Sequence, residues 1–356
     1  MIHAVAANLR TDIAPPSEPW RVKARAHLDT LTKPLGSLGR LEDIAAQFIA
    51  IRQARFADPV SKAVYVFAAD HGVTAEKVSA YPSEVTRQMV LNFLAGGAAI
   101  NVLSRLHNVA LQVIDVGVDG DFDPATPLVH AKVRRGSRNM HAEPAMAHDE
   151  LLEALTVGIR MAEEAAASGH NLVAPGEMGI GNTTAASAIT AALTGRPVPE
   201  VTGLGTGIDI PAREHKIRII EESLALHFKG REAASPLEIL GHVGGLEIAA
   251  ITGFILAAAR THLAVVCDGF IATAAAAIAV SIAPAAAGYL IAGHQSREPG
   301  HAILLAHLNL QPILQLDMRL GEGTGAVLAM PVIESAIALY RDMATFTSAG
   351  VSEAAQ

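Results

Sequence analysis

The stretch Ala63-Val64-Tyr65-Val66-Phe67-Ala68-Ala69 decides the fold, because seven apolar residues follow one another without polar alternation. A continuous apolar run of this length is typical of a strand that is buried on both faces of a parallel sheet. The run stops at Asp70-His71-Gly72, where two polar residues and a glycine follow at once. The sequence therefore predicts a buried strand that ends in a polar turn.

Four further apolar runs end in the same way, with a glycine and polar or charged residues directly after them. They cover residues 109–114, 171–174, 263–267 and 288–292. Helical sequence separates most of these runs, which predicts an α/β fold: a mostly parallel Rossmann-like sheet with helices on both faces. Ligands of such sheets bind outside the carboxyl ends of the strands, so the five polar endings predict one shared cleft.

Helical patterns at the two ends of the chain predict a second, smaller unit. One pattern begins near Arg21 and breaks at residues 33–40, where Ser37 is a possible helix cap. Another helix is expected over residues 83–106, and the last over residues 324–343. We therefore expect a large α/β domain over residues 60–325, with residues 1–59 and 326–356 forming a small helical subdomain.

Composition excludes several classes of protein. The chain has 356 residues, of which 51% are hydrophobic and 17% charged, and its net charge is -8 without a basic run, so nucleic acid is a poor partner. The lone Cys267 rules out an internal disulfide framework, and the N-terminus has no secretory signal pattern, so a cytoplasmic location is expected. Residues 270–293 are apolar but Ala-rich and contain Pro284, which favours a buried helix and strand over a membrane span.

A glycine-rich motif near the C-terminus reads Leu316-Asp317-Met318-Arg319-Leu320-Gly321-Glu322-Gly323-Thr324-Gly325-Ala326. Glycines on both sides of Glu322 permit a ligand to approach the backbone and the carboxylate together. An equally good interpretation of the motif alone is a helix start with a favourable acidic residue in its first turn.

Two other glycine-rich segments could hold an anion. Residues 176–184, Gly176-Glu177-Met178-Gly179-Ile180-Gly181-Asn182-Thr183-Thr184, lie between a strand and an Ala-rich helix, where backbone N–H groups and hydroxyls favour phosphate. No Lys follows as in a Walker loop, and a tight structural turn is the alternative. Residues 203–209 form a weaker motif, with Lys216 downstream as a possible anion ligand or a solvated surface lysine. Asp70 and His71 would make half of a metal site that nothing completes, and no Gly-x-Ser-x-Gly hydrolase elbow occurs.

Together these motifs resemble one enzyme family, nicotinate-nucleotide–dimethylbenzimidazole phosphoribosyltransferase, which acts in cobalamin lower-ligand assembly. The resemblance extends from about residue 33 to residue 343. The motifs that carry it occur in this order: Lys33-Pro34-Leu35-Gly36-Ser37-Leu38-Gly39-Arg40-Leu41-Glu42, Ala69-Asp70-His71-Gly72-Val73, Gly176-Glu177-Met178-Gly179-Ile180-Gly181-Asn182-Thr183-Thr184, Asp268-Gly269-Phe270 and Arg319-Leu320-Gly321-Glu322-Gly323-Thr324-Gly325-Ala326.

The resemblance implies a reaction in which nicotinate mononucleotide gives its ribose 5-phosphate to a benzimidazole nitrogen, with inversion at the anomeric carbon. It also implies a homodimer that needs no metal or cofactor, with a parallel-sheet domain and a small helical one. The same transfer to another aglycone (adenine, another benzimidazole or a phenol) and a non-catalytic nucleotide-binding protein are the alternatives.

The resemblance also assigns site residues. Glu322 would be the general base, and Glu177 a second acid near the ribose and the base. Gly179, Gly205 and Lys216 would hold the phosphate. Asp268, Ser296 and Arg319 would hold the ribose and the nicotinate. The base pocket would be formed by Tyr81, Gln88 or Met89, and Leu320.

Overall fold

A computed structural model describes residues 13–230 and 234–352. Predictions about the extreme N-terminus, including the missing secretory signal, concern residues outside this part of the chain. Six strands form one sheet, and helices cover both of its faces. The strands are β1 (Lys62–Ala69), β2 (Ala110–Gly117), β3 (Val129–His130), β4 (Leu172–Met178), β5 (Ala264–Cys267) and β6 (Leu290–Ala292).

Fourteen helices of the described residues surround the sheet. They are α1 (Glu18–Thr30), α2 (Arg40–Arg52), α3 (Glu84–Leu94), α4 (Ala99–Leu106), α5 (His148–Ala167), α6 (Asn182–Thr194), α7 (Val198–Val201), α8 (Ile210–Phe228), α9 (Pro236–Val243), α10 (Leu246–Arg260), α11 (Phe270–Ile282), α12 (Pro299–His307), α13 (Thr324–Asp342) and α14 (Phe346–Ala349).

All neighbouring strands are parallel, in the order β3-β2-β1-β4-β5-β6. The chain builds the sheet outward from β1 in one direction and then from β4 in the other, so the order reverses between these two strands. A reversal of this kind opens a crevice at the carboxyl ends of the strands. The predicted α/β class is confirmed, and all five apolar runs form strands.

Successive side chains of β1 point to opposite faces of the sheet. Tyr65 and Phe67 pack on one side with Phe254 of α10, within a core that also includes α5, α6, α9 and α11. Val64 and Val66 face the other side and belong to a core that includes α2, α3, α4 and α13. Burial on both faces explains why the run contains no polar alternation.

The helices at the two ends of the described chain lie together. α1 packs on α2, α2 packs on α13, and an antiparallel bridge joins Leu31 to Thr345. Side chains of these helices, such as Phe48 and Met330, share one core with the sheet residue Val66. The division into a large domain and a small helical subdomain remains a prediction.

Three local features differ from the sequence-based expectations. The expected helix over residues 83–106 is two helices, because Gly96 takes a left-handed φ of +78° between α3 and α4. The cap of α2 is Gly39 instead of Ser37. The two-residue strand β3 was missed because so short a segment shows no periodicity.

The two apolar segments of interest for membranes differ in burial. Residues 270–293 form the buried helix α11, a short 3-10 turn and β6, as predicted. Glu84–Leu106 is long and apolar enough to cross a membrane by length and composition, although core helices of soluble proteins pass the same test.

Candidate active site

A cavity of about 390 Å3 opens at the carboxyl ends of β4, β5 and β6. Its lining combines polar groups and glycines with apolar side chains. A wider surface cleft of about 670 Å3 lies between α2 and β6, away from those strand ends. Two of its cations are already engaged, because Arg40 donates to the backbone carbonyl of Gln311 and Arg25 to the carboxylate of Asp43. The smaller cavity is therefore the candidate active site.

Glu322 lies in the wall of the cavity in an unusual backbone conformation. Its φ is +63°, between Gly321 at +83° and Gly323 at +85°, so three consecutive residues are left-handed. Gly176 of β4 makes this path possible, because a Cβ there would lie 2.6 Å from the Glu322 carbonyl oxygen. The helix α13 begins only at Thr324, so Glu322 precedes it and is not an acidic residue of its first turn.

The Glu322 side chain is 4% exposed, and its Oε2 has no hydrogen-bond partner among the described residues. Burial and the nearby Asp268 raise the pKa of Glu322 to about 7, while the backbone N–H of Ile100 in α4 opposes the rise. A carboxyl with this pKa can accept a proton at neutral pH, which is the property that a general base requires.

Glu177 stands at the end of β4, close to the same loop. Its carboxylate accepts a hydrogen bond from the Asn182 side chain and lies against the backbone of Gly321, where a Cβ would clash with it. Burial, followed by the charges of Asp268 and Glu247, raises the pKa of Glu177 to about 8, although the Asn182 bond opposes this. Glu177 is therefore mostly protonated at neutral pH.

Asp268 does not line the cavity, but it holds the segment that does. Its carboxylate accepts the backbone N–H groups of Gly323, at 3.1 Å, and of Ala326, at 2.9 Å. Burial raises the pKa of Asp268, and His294 together with these N–H groups opposes the rise. Asp268 thus holds the backbone at the start of α13, directly after Glu322, and its predicted contact with the ribose or the nicotinate stays a prediction.

Two predicted phosphate residues, Gly179 and Gly205, line the cavity, and the third, Lys216, lies beneath it. Lys216 is 1% exposed, so it is not a solvated surface lysine, and its Nζ donates to the Thr183 hydroxyl at 2.7 Å. Burial lowers the pKa of Lys216 to about 8, with Arg213 acting in the same direction and Glu298 opposing.

Ser296 and Arg319 both line the cavity. The Ser296 backbone N–H donates to Nδ1 of His301 at 2.9 Å, so Nε2 of that ring carries the proton and faces the Thr273 hydroxyl at 2.9 Å. Burial lowers the pKa of His301 to about 3, which keeps this tautomer neutral. Arg319 donates to the Gly205 carbonyl at 2.9 Å and so links the two glycine-rich loops.

The cavity lining includes three of the four residues predicted for the base pocket: Tyr81, Met89 and Leu320. Gln88, the alternative to Met89, is exposed on α3 and does not line the cavity. Tyr81 and Leu320 are about half exposed, at the mouth.

Sequence reasoning missed several residues of the cavity wall. Val85 lay outside every motif, whereas Met178, Ile180, Asn182 and Phe270 lay inside motifs without being selected. His294 and Glu298 were also missed, although the segment that follows β6 is rich in polar residues.

The motif Asp70-His71-Gly72 has a structural explanation. His71 is buried and its Nε2 lies 2.6 Å from the Glu247 carboxylate, and this pair outweighs burial and raises the pKa of His71. Asp70 accepts the N–H of Asp119 at 2.7 Å. Residues 13–230 and 234–352 contain no group of three or more His, Cys, Asp or Glu side chains placed to hold a metal ion.

Known proteins resemble this chain over nearly its whole length. A family described as "Phosphoribosyltransferase" matches residues 13–351. The nicotinate-nucleotide–dimethylbenzimidazole phosphoribosyltransferase of Geotalea uraniireducens is 51% identical over 93% of this chain and 94% of that protein. The enzyme of the same name from Chloroflexus aurantiacus is 51% identical over 96% and 97%.

The crystal structure of CobT from Thermus thermophilus superposes with a TM-score of 0.90 at 47% identity, covering 94% of this chain and all of that one. Sequence and fold therefore agree. The chain is an enzyme that belongs to the nicotinate-nucleotide–dimethylbenzimidazole phosphoribosyltransferase family.

Proposed function

We propose that this enzyme transfers ribose 5-phosphate from nicotinate mononucleotide to 5,6-dimethylbenzimidazole, giving α-ribazole 5'-phosphate and nicotinate. The reaction would serve the assembly of the cobalamin nucleotide loop. The relatives' names support the substrates, and one observation supports the chemistry: the buried carboxylate of Glu322 lies in the cavity wall, and its Oε2 has no hydrogen-bond partner within residues 13–230 and 234–352.

In the proposed reaction, one benzimidazole nitrogen attacks the anomeric carbon from the face opposite to the nicotinate. The C–N bond to the nicotinate ring breaks, and its electron pair returns to the pyridinium, which leaves as a neutral ring. The proton on the second benzimidazole nitrogen passes to Glu322, which prevents a cationic product ring. The protein's main contribution is to align two rings across the ribose.

Glu177 takes a different role in this proposal. Because its pKa is about 8, its protonated form can donate a hydrogen bond at neutral pH. The neutral form also avoids a second negative charge beside Glu322. We assign Glu177 to holding the ribose and the base, next to the proton acceptor.

The phosphate, the ribose and the nicotinate would lie near Gly179, Gly205, Ser296 and Arg319. The aromatic base would lie near Tyr81, Met89 and Leu320. Competition between dimethylbenzimidazole, adenine and a phenol, with products identified by mass, separates the proposed acceptor from the other aglycones. A homodimer, a cytoplasmic location and independence of metals and cofactors belong to the same proposal.

The proposed function is tested by incubating the protein with nicotinate mononucleotide and dimethylbenzimidazole. We expect free nicotinate to appear together with a riboside phosphate of the benzimidazole. Release of nicotinate should depend on the benzimidazole, which separates transfer from hydrolysis. Binding of the mononucleotide without any release of nicotinate would favour a non-catalytic nucleotide-binding protein.

The pH dependence follows from the two raised pKa values. Glu322 must be ionised to accept a proton, so kcat/KM should fall about tenfold per pH unit below pH 7. If the protonated form of Glu177 is required, kcat/KM should also fall above pH 8. Initial rates between pH 5.5 and 9.5 measure the acidic and the alkaline side of this pH profile. The two apparent pKa values belong to the pair of acids and not to either residue alone. A flat profile from pH 5.5 to 7 would contradict the role of Glu322.

A further inference from the structure

His71 and Glu247 form a buried pair behind the wall of the cavity, and the proposed reaction uses neither of them. His71 lies just after β1 and is 2% exposed, whereas Glu247 lies in the first turn of α10 and is fully buried. Nε2 of His71 is 2.6 Å from Oε1 of Glu247. Burial lowers the pKa of His71, but Glu247 more than offsets this effect, which favours the charged imidazolium.

This pair is a poor means of stabilising the fold. Oε2 of Glu247 has no hydrogen-bond partner within residues 13–230 and 234–352. Moving two charges out of water costs free energy that an incompletely hydrogen-bonded pair recovers poorly. Apolar residues of similar volume are often as stabilising as a buried ion pair, or more so. The pair therefore calls for an explanation other than stability.

Residues 179–181 of the second glycine-rich segment pack directly on this pair. A Cβ built on Gly179 would lie 3.1 Å from Oε1 of Glu247 and 3.3 Å from Cδ2 of His71. A Cβ built on Gly181 would lie 3.2 Å from the Cβ of His71. Gly179 also lines the cavity, so its backbone separates the buried pair from the ligand site.

Thr86 of α3 holds the same loop from a different element. Thr86 is fully buried, and its Oγ1 accepts the backbone N–H of Ile180 at 3.1 Å. The N–H of Asn182 in turn donates to the carbonyl of Gly179 at 3.1 Å, so α6 starts directly from this loop. Side chains from three separate segments of the chain thus fix residues 179–181.

We infer that His71, Glu247 and Thr86, the loop-support cluster, position residues 179–181 for the phosphate of the mononucleotide. The inference rests on the proposed function, which places that phosphate near Gly179. None of the three residues lines the cavity, so they act through the loop and not by touching the ligand. A backbone N–H must point at a phosphate oxygen to bond to it, so a displaced loop would lose phosphate affinity.

The phosphate contribution to binding measures this positioning. Nicotinate mononucleotide and nicotinate riboside, which lacks the phosphate, should be compared by isothermal titration calorimetry at pH 7.5 without benzimidazole. Because the two ligands share the ribose and the ring, the ratio of their Kd values isolates the phosphate. We expect the wild-type protein to bind the mononucleotide at least about tenfold more tightly, the value of one charge-assisted hydrogen bond. Equal Kd values for the two ligands would overturn the inference.

The variant Thr86→Val keeps the shape of the side chain and removes the acceptor of the Ile180 N–H. It should lower the ratio by more than about threefold, whereas Thr86→Ser keeps the hydroxyl and should change it by less. The matched control is Thr190→Val on α6, where the fully buried hydroxyl donates to the Ala186 carbonyl at 2.7 Å. If the cluster only stabilises the fold, Thr86→Val lowers Tm without changing the ratio beyond threefold, and the inference is overturned.

The double variant His71→Leu with Glu247→Leu removes the charged pair and keeps most of its volume, a change that buried ion pairs often tolerate. It should also lower the ratio by more than about threefold, because no hydrogen bond then fixes the side chains beneath Gly179. His71→Gln can still donate an N–H to Glu247 and should change the ratio by less. A folded double variant with the wild-type ratio would overturn the inference, and Thr86→Val decides it independently.

These binding measurements are separate from the test of the proposed function. They are made without benzimidazole, so no transfer takes place during them. The proposed function fails only if the wild-type protein releases no nicotinate from the mononucleotide in the presence of dimethylbenzimidazole.

Discussion

Replacing Glu322 with Gln should lower kcat by a factor of about 10^2 to 10^4, the usual contribution of a positioned general base. Gln keeps the length and shape of the side chain and can still accept a hydrogen bond from the second ring nitrogen. It cannot take the proton, so the product ring would have to form as a cation. Release of nicotinate under saturating substrates measures the loss, and kcat within threefold of wild type would refute the assignment.

The same variant should fold at least as well as the wild type. The pKa of Glu322 is raised from 4.5 to about 7, so its contribution lowers stability as the pH rises from about 4.5 to 7, and the full cost of the buried charge is present above pH 7. Gln carries no charge and avoids that cost. Thermal unfolding at pH 6 and pH 8 should therefore show a gain for Glu322→Gln that is larger at pH 8. The exposed Glu153→Gln should show no such pH-dependent gain.

Replacing Asp268 with Ala should damage both stability and turnover. The change leaves the N–H groups of Gly323 and Ala326 buried without their acceptor. An abandoned buried donor costs about 1 to 3 kcal/mol, and relief of the buried charge offsets part of the total, so we expect a net loss of about 2 to 4 kcal/mol. Turnover should fall at least about a hundredfold, because Glu322 loses its fixed position.

The variant Asp268→Asn is the matched comparison. Its amide oxygen can accept one of the two N–H groups, so its loss of stability should be smaller than that of Asp268→Ala. Urea unfolding at pH 7 ranks the free energies of unfolding of the wild type and the two variants, and nicotinate release measures turnover. An Asp268→Ala protein that is as stable as wild type and turns over within tenfold of it would show that Asp268 does not hold the start of α13.

The sequence could reveal the strands and their shared edge, because burial on both faces leaves an unbroken apolar run such as residues 63–69. It could also mark Glu177 and Glu322, because glycines lie close to each of them in the sequence. The fold class and the family could therefore be predicted from a single sequence. The roles of Glu177 and Glu322 remain predictions.

Other features depend on contacts between distant segments. The role of Asp268 follows from N–H groups more than fifty residues away, and Glu298 meets Gly205 across a separation of 93 residues. The burial of Lys216 has the same cause, because a helical lysine is exposed unless another element covers it. Gln88 and Met89 are neighbours in sequence, and only the rotation of α3 places Met89 in the cavity and leaves Gln88 outside.

The left-handed turn at Glu322 lowers the stability of the fold. A non-glycine residue in this conformation is strained by about 1 kcal/mol or more, and glycine at the same place would relieve that strain. The buried carboxylate, whose Oε2 has no hydrogen-bond partner in the described part of the chain, adds a second cost. Selection for stability alone would therefore favour the loss of Glu322, which agrees with the proposal that this residue acts on substrates.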